Sequence, residues 1–443
     1  MGRPEMARIP LVSTRETRSL GLKVWVAVLA GSLVLSGCVG SGSMRPPRRV
    51  AQAPAAPPQY EADLPPEGVP QSQPQAYASA PSNAPMPGPV GTGTTIGNGP
   101  VRVALILPLS GQGQSAVAAQ SLQNAADLAL SETPGAELTI LVKDDRGTPE
   151  GAREAASQAL AEGAELILGP LFAPSVQAAG QVARQSGRPV IAFSTDATVA
   201  TRGIYLLSFL VQAEVDRIVS FAASQGRRSV AALVPETTYG HVAEAQFQEA
   251  AARQGLRVVA VERYPAGQPQ AAVQRLARVI GGPSAQADAL FLPENGDGLP
   301  AVAAALQSVG FNPQQVKPLG TGVWNEARVF ALPALQGSWF AAPDNRGFAA
   351  FAARYRARYN TDPIRLATLS YDAVTLAAAL TRVQGSQRFA ENVLTNPAGF
   401  AGADGVFRFK GDGTNDRALA VQEIRNGAAV MVSGAPRTLM AGN

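Results

Sequence analysis

The chain is poor in the residues from which most active sites are built. It has one cysteine, Cys38, and one histidine, His241, in 443 residues. That scarcity excludes a disulfide framework, a Cys/His zinc site and most thiol redox chemistry. Charge is also scarce, at 16% of residues, and the formal balance is only +4. Arg3, Arg8, Arg15, Arg18 and Lys23 against Glu5 and Glu16 place +3 of it before residue 38 and leave about +1 for the remainder, so no nucleic-acid partner is indicated. The longest apolar runs fall short of the roughly 20 residues that a membrane-spanning helix needs. What is abundant is apolar residue content, 46% over a length that allows two or three domain-sized units and a sizeable core.

The amino-terminal stretch reads as delivery and tether. A charged segment ending at Lys23 precedes a short apolar core, residues 24–35, and then Leu35-Ser36-Gly37-Cys38. The flanks match a secretory signal occupying residues 1–37. Leu-Ser-Gly-Cys resembles the bacterial lipobox, which implies that Cys38 becomes the lipidated first residue of the mature protein and anchors it to membrane. Val39 after the cysteine, where the enteric sorting rule reserves Asp for inner-membrane retention, implies the outer membrane. The leader is long before Lys23, and Met6 competes with Met1 as the start. Residues 38–100 are rich in Pro, Ala, Gln, Ser and Gly and poor in large aliphatics, so they are expected to form a disordered tether. At about 3.1 Å per residue, some sixty residues reach on the order of 150 to 190 Å. Arg45, Arg48 and Arg49 read as a solvated charge run, with contact to anionic lipid or cell-wall polymer as the alternative.

From Val101 the pattern is that of an open α/β sheet. Val103, Leu105, Ile106 and Leu107 form a buried-strand run ending at Pro108. The loop Ser110-Gly111-Gln112-Gly113-Gln114 then leads into an amphipathic helix through Leu122, Ala125, Ala126 and Leu130. Further strands are expected at 137–142, 166–168, 189–193 and 205–209. A helix opens at Thr148-Pro149-Glu150, with Thr148 as N-cap and Pro149 in first position. The grammar restarts at Ala213 as a second lobe, with strands at 229–234, 258–264 and 289–292 and helices at 213–225, 238–254 and 271–280. Helices over 348–359 and 366–381 are expected to return to the first lobe. Residues 405–409, the turn Lys410-Gly411-Asp412-Gly413 and residues 418–425 read as antiparallel hairpin strands that close the domain. The fold class is therefore α/β, with two lobes, each a mostly parallel sheet flanked by helices. The first lobe is expected at about 101–210 plus 342–400 and the second at about 211–341.

Several phrases, taken in order, carry a family resemblance: Val103-Ala104-Leu105-Ile106-Leu107-Pro108-Leu109-Ser110-Gly111, Leu166-Ile167-Leu168-Gly169-Pro170, Pro189-Val190-Ile191-Ala192-Phe193-Ser194, Thr238-Tyr239-Gly240 and Ser370-Tyr371-Asp372-Ala373-Val374. The chain resembles type I periplasmic binding proteins of the leucine/isoleucine/valine-binding group from about Val101 to Gly427. Within that group, Gly-Pro-Leu-Phe-Ala-Pro and the outer-membrane signal are more similar to penicillin-binding protein activator lipoproteins, whose domain of this fold regulates a bifunctional peptidoglycan synthase. The resemblance implies two lobes closing on a cleft, no cofactor and no chemistry on the ligand. The rival implication is the receptor of an ABC importer for branched-chain or related amino acids.

A small amino-acid-like ligand would need hydroxyl and backbone N–H donors for its carboxylate and an acid for its ammonium. Candidates at strand ends and helix starts are Ser110, Ser175, Ser194, Thr195 and Ser208, with Tyr239 over the ligand from the second lobe. Glu294 is the leading amine acceptor and Asp196 the second. Each has a plain alternative as a cap or loop-solvating group. Leu171-Phe172-Ala173-Pro174 departs from the smaller, hydroxyl-bearing residues that amino-acid binders offer there. Catalysis finds no support: His241 sits at a helix start without a nucleophile motif, and Gly111-Gln112-Gly113 lacks the third glycine of a dinucleotide fingerprint. Asp144-Asp145 and Asn295-Gly296-Asp297 lack the ligand spacing of a calcium loop and are explained by turn chemistry. Trp324, Trp339 and Phe340 read as core or lobe-interface residues and not as a sugar-stacking platform.

Overall fold

The computed structural model describes residues 94–439. Cys38, the expected signal segment and the Pro-rich stretch through residue 93 lie outside the described residues.

The first sheet begins earlier than the sequence suggests. Its strands are Thr95–Gly97 (β1), Val101–Leu107 (β2), Leu138–Asp144 (β3), Ala164–Leu168 (β4), Val190–Ala192 (β5) and Ile204–Leu206 (β6), in the order β1-β3-β2-β4-β5-β6. Residues 95–97, assigned above to the tether, pair antiparallel with β3. The reason is local: β-branched Thr95 and Ile96 precede Gly97, whose φ of 82° turns the chain, and Ile96 packs against the first core. All other pairings in this sheet are parallel. Strand β2 is buried at six of its seven positions, which is why it reads as a continuous apolar run and not as an alternation. Helices Gln114–Ser131 (α1), Pro149–Ala161 (α2) and Ala173–Gln185 (α3) supply the crossovers. Thr148 caps α2 as expected, accepting from Gly151 N at 3.0 Å.

The second lobe follows with Val211–Ser224 (α4), Ser229–Pro235 (β7), Thr238–Arg253 (α5), Arg257–Tyr264 (β8), Gln270–Ile280 (α6), Ala289–Phe291 (β9), Leu299–Ser308 (α7), Lys317–Gly320 (β10), Ala327–Phe330 (α8) and Trp339–Ala342 (β11). Asn345–Tyr359 (α9), Ala367–Val383 (α10) and Glu391–Leu394 (α11) return the chain to the first lobe, where α9 and α10 pack on α1. Phe400–Gly402 (β12), Gly405–Phe409 (β13) and Asn415–Arg417 (β14) make a small antiparallel sheet. Ala420–Arg425 (β15) and Ala428–Ser433 (β16) complete the second large sheet, in the order β16-β15-β11-β10-β9-β7-β8.

This ending corrects the expected closing hairpin. Residues 405–409 pair with β14, whereas 420–425 pair antiparallel with β11 and β16 in the other lobe. The side chains explain the split: Phe407 and Phe409 enter the first-lobe core, while Val421 and Ile424 enter the second-lobe cores. The expected strand over 205–209 also stops early, at Leu206, because residues 207–210 form the first passage between lobes. Residues 343–344 and 418–419 form the other two. Trp324 and Phe340 are fully buried and Trp339 nearly so.

Candidate functional site

In the second lobe the parallel strands β7 to β10 end on one edge, and four polar side chains meet there. Tyr264 is the last residue of β8, Glu294 lies three residues beyond β9, Thr321 follows β10, and Tyr239 stands in the first turn of α5. Glu294 is buried. Its Oε2 accepts from the Tyr264 hydroxyl at 2.6 Å and its Oε1 from Asn295 N at 2.8 Å. Burial pushes its carboxyl above the usual range, against the pull of those two donors. The Tyr239 hydroxyl and Thr321 Oγ1 share a hydrogen bond of 2.6 Å. Burial raises the Tyr239 hydroxyl well above its ordinary pKa, and the nearby Glu214 and Glu294 carboxylates reinforce the shift. Glu214, from the first turn of α4, is itself buried and accepts from Gly322 N at 3.0 Å.

Two glycines keep this cluster compact. A Cβ on Gly298 would lie 2.3 Å from the Glu294 carboxyl carbon, and one on Gly320 would lie 2.2 Å from the Trp324 ring. The Trp324 indole in turn donates to the Glu294 carbonyl at 3.1 Å. Glu294 and Tyr239 are thus brought together as candidates. Glu214, Tyr264 and Thr321 join them without having been singled out. Tyr264 at a strand end was visible in the sequence, but only the fold places it on Glu294.

The first-lobe candidates are more dispersed. Ser194 is nearly buried, and its hydroxyl accepts from Asp196 N at 3.2 Å. Ser208 is fully buried and donates to the Phe193 carbonyl, also at 3.2 Å. Ser110 and Thr195 are exposed, and the Ser110 amide donates to Asp144. Asp196 caps the short 3-10 turn Ala197–Val199, accepting from both the amide and the hydroxyl of Thr198. Ser175 is fully buried beside Asp145, which is also fully buried; neither Ser175 Oγ nor Asp145 Oδ2 meets hydrogen-bond geometry. Asp145 Oδ1 accepts from Gly147 N at 2.8 Å. Burial raises this carboxyl to about 6, although the Gly147 amide and the Ser175 hydroxyl oppose the shift.

The start of α3 offers little to an anion. Its N-cap is Phe172, without a side-chain cap, and Pro174 in the first turn removes one N–H. His241 is exposed, and the buried hydroxyls Ser194 and Ser208 bond to backbone groups, so these residues form no nucleophile–base pair. The arrangement holds donors and acceptors at fixed positions, which suits binding.

Residues 100–429 match the model of a family described as periplasmic binding protein. No curated protein matches the chain. Among solved structures, it is similar to a candidate branched-chain amino acid ABC transporter protein from Rhodospirillum rubrum, with a TM-score of 0.66 and 20% identity over 75% of this chain and 99% of that one. A branched-chain amino acid transporter substrate-binding protein from Streptococcus pneumoniae, solved with isoleucine, aligns with a TM-score of 0.54 and 19% identity over 76% and 99% of the two chains. A solute-binding protein of an ABC transporter from R. palustris, solved with benzoate, gives 0.55 and 19% over 77% and 98%.

Proposed function

The chain belongs to the periplasmic binding protein family, and from that premise we propose that its two lobes hold a small amine-bearing solute in the periplasm, as the receptor of an ABC importer, without chemistry on the ligand. The observation that carries this reading is the second-lobe cluster, in which a buried acid, Glu294, is held by Tyr264 beside the Tyr239–Thr321 pair. Such an acid, desolvated and fixed in direction, favours an ammonium over a neutral group. The structural neighbours solved with isoleucine and benzoate support a ligand of this size.

The test is calorimetric titration of residues 94–443 with a panel of branched-chain and related amino acids, short peptides and muropeptides. Saturable binding is expected, and Glu294→Gln should weaken it about 10- to 100-fold, the value of one hydrogen bond to a charged group. Silence of the unaltered protein across the panel would remove the reading.

The start of α3 favours a second reading. Phe172, Pro174 and the buried Asp145 leave few donors for a ligand carboxylate. On this reading the domain regulates a bifunctional peptidoglycan synthase from a lipid anchor at Cys38 in the outer membrane, and the Pro-rich stretch supplies reach across the wall. Its mark is retention of the synthase on the purified lipoprotein, and loss of function when most of residues 40–93 are deleted.

A further inference from the structure

Among the described residues three passages of main chain connect the lobes, and side chains add a further connection. After β16 the chain continues through Gly434, Ala435, Pro436, Arg437 and Thr438 to Leu439. At the near end of this segment, Arg217 on second-lobe helix α4 donates to Ser433 Oγ at 2.7 Å and to the Gly434 carbonyl at 3.3 Å. The same guanidinium donates through Nε to the carbonyl of Leu419, on the third passage, at 2.8 Å. At the far end, Arg408 on β13 of the first lobe donates to the Leu439 carbonyl at 2.9 Å and to the Pro397 carbonyl at 3.3 Å. Two further bonds fix Arg408 to Asp416 on β14, immediately before the passage. Each arginine therefore grips both the tail and a fixed point of its own lobe or of the passage beside it.

From these contacts we propose that residues 434–439 are a strap that runs alongside the third passage and limits how far the lobes separate. The limit follows from chain length. Five residue steps span at most about 17 Å when fully extended, so two anchored ends cannot part further without releasing an arginine. Pro436 fixes one φ and removes slack. Arg217 is half desolvated, which lowers its pKa and makes release of its acceptors costly. The strap sets the resting separation of the lobes and, through it, the affinity of the cleft. That last step rests on the solute-binding reading; the mechanical step does not.

The experiment uses the full chain with Cys38→Ser, so that spin labels at Gln185→Cys on α3 and Ala252→Cys on α5, both exposed, report the distance between lobes without ligand. Ending the chain after Ser433 should widen the distance distribution about twofold, because the three passages alone then limit the hinge. A second variant, with Gly-Ser-Gly-Ser inserted between Pro436 and Arg437, keeps both anchors and adds only length. It should widen the distribution to a similar extent. Distributions that superimpose on that of the unaltered chain in both variants would overturn the strap. Adding the amino-acid panel to the unaltered chain tests the other reading separately: no change on ligand addition counts against solute binding and leaves the strap standing.

Discussion

Asp145 carries a cost that its neighbours only partly offset. Its Oδ1 is held by the Gly147 amide, but Oδ2 lies buried without a hydrogen bond, and burial raises the carboxyl to about 6. Between the ordinary carboxylate value near 4 and about 6, the folded chain keeps a proton that the unfolded chain gives up, so stability falls as pH rises through this window. At one unit per 1.36 kcal/mol, the full cost at neutral pH is at most about 3 kcal/mol. Asp145→Asn keeps an acceptor for Gly147 and gains a donor facing Ser175. It should raise stability by about 1–3 kcal/mol at pH 8, and the gain should vanish below pH 4, where Asp145 is protonated in both states. Urea denaturation at the two pH values measures it. The sequence shows Asp144-Asp145 as turn chemistry, and the bonds that Asp144 Oδ1 accepts from the Ser110 and Arg146 amides agree. It does not show that the second of two adjacent acids is sealed beneath the starts of α2 and α3, because burial is decided by residues far along the chain.

At the scale of elements, the end of β10 shows how one glycine fixes a site. Gly320 lies against the face of the fully buried Trp324, and the Trp324 indole bonds to the Glu294 carbonyl. Gly320→Ala should displace the indole, cost about 1–3 kcal/mol as an overpacked core does, and loosen Glu294. A red shift and loss of protection of tryptophan emission, together with a lower urea midpoint, would report it; an unchanged spectrum and midpoint would refute it. Elements of this kind were largely legible. Parallel strands buried on both faces announce themselves as apolar runs, and α2 shows cap, proline and acid in sequence. What escaped were short pieces whose identity depends on partners. β1, for instance, is three residues long and is held by β3. The assignment of β15 turned on which core its apolar face enters, and local pattern cannot decide that. In the same way Glu294 was visible as an acid past a strand, but its bond to Tyr264 joins residues 30 apart in sequence.

For the whole molecule, the region where the passages meet the first lobe is held by charge buried among aromatic rings. Arg365 is nearly buried, donates to Asp404 Oδ1 at 2.6 Å, and stacks 4.6 Å from the centroid of Phe348. Asp404 is fully buried and also takes the Thr368 hydroxyl. Beside them Arg417 lies 4.6 Å from the centroid of Phe209 and, with Asn415, donates to the carbonyl of Ser208 on the first passage. The first and third passages are thus locked together by side chains from β14, while Arg365 and Asp404 brace the helix that leads away from the second. Removing one member of a buried pair leaves an uncompensated charge, which costs about 3–5 kcal/mol, far more than an exposed pair is worth. Asp404→Ala should therefore lower the denaturant midpoint by that order, whereas Arg356→Ala, which breaks an exposed pair with Asp362, should change it by less than about 1 kcal/mol. Equal effects would mean that the buried pair does not hold the hinge region. Because Asp404→Ala leaves every second-lobe contact of Glu294 intact, its effect on any ligand affinity measures how far the hinge, as distinct from the pocket, sets binding.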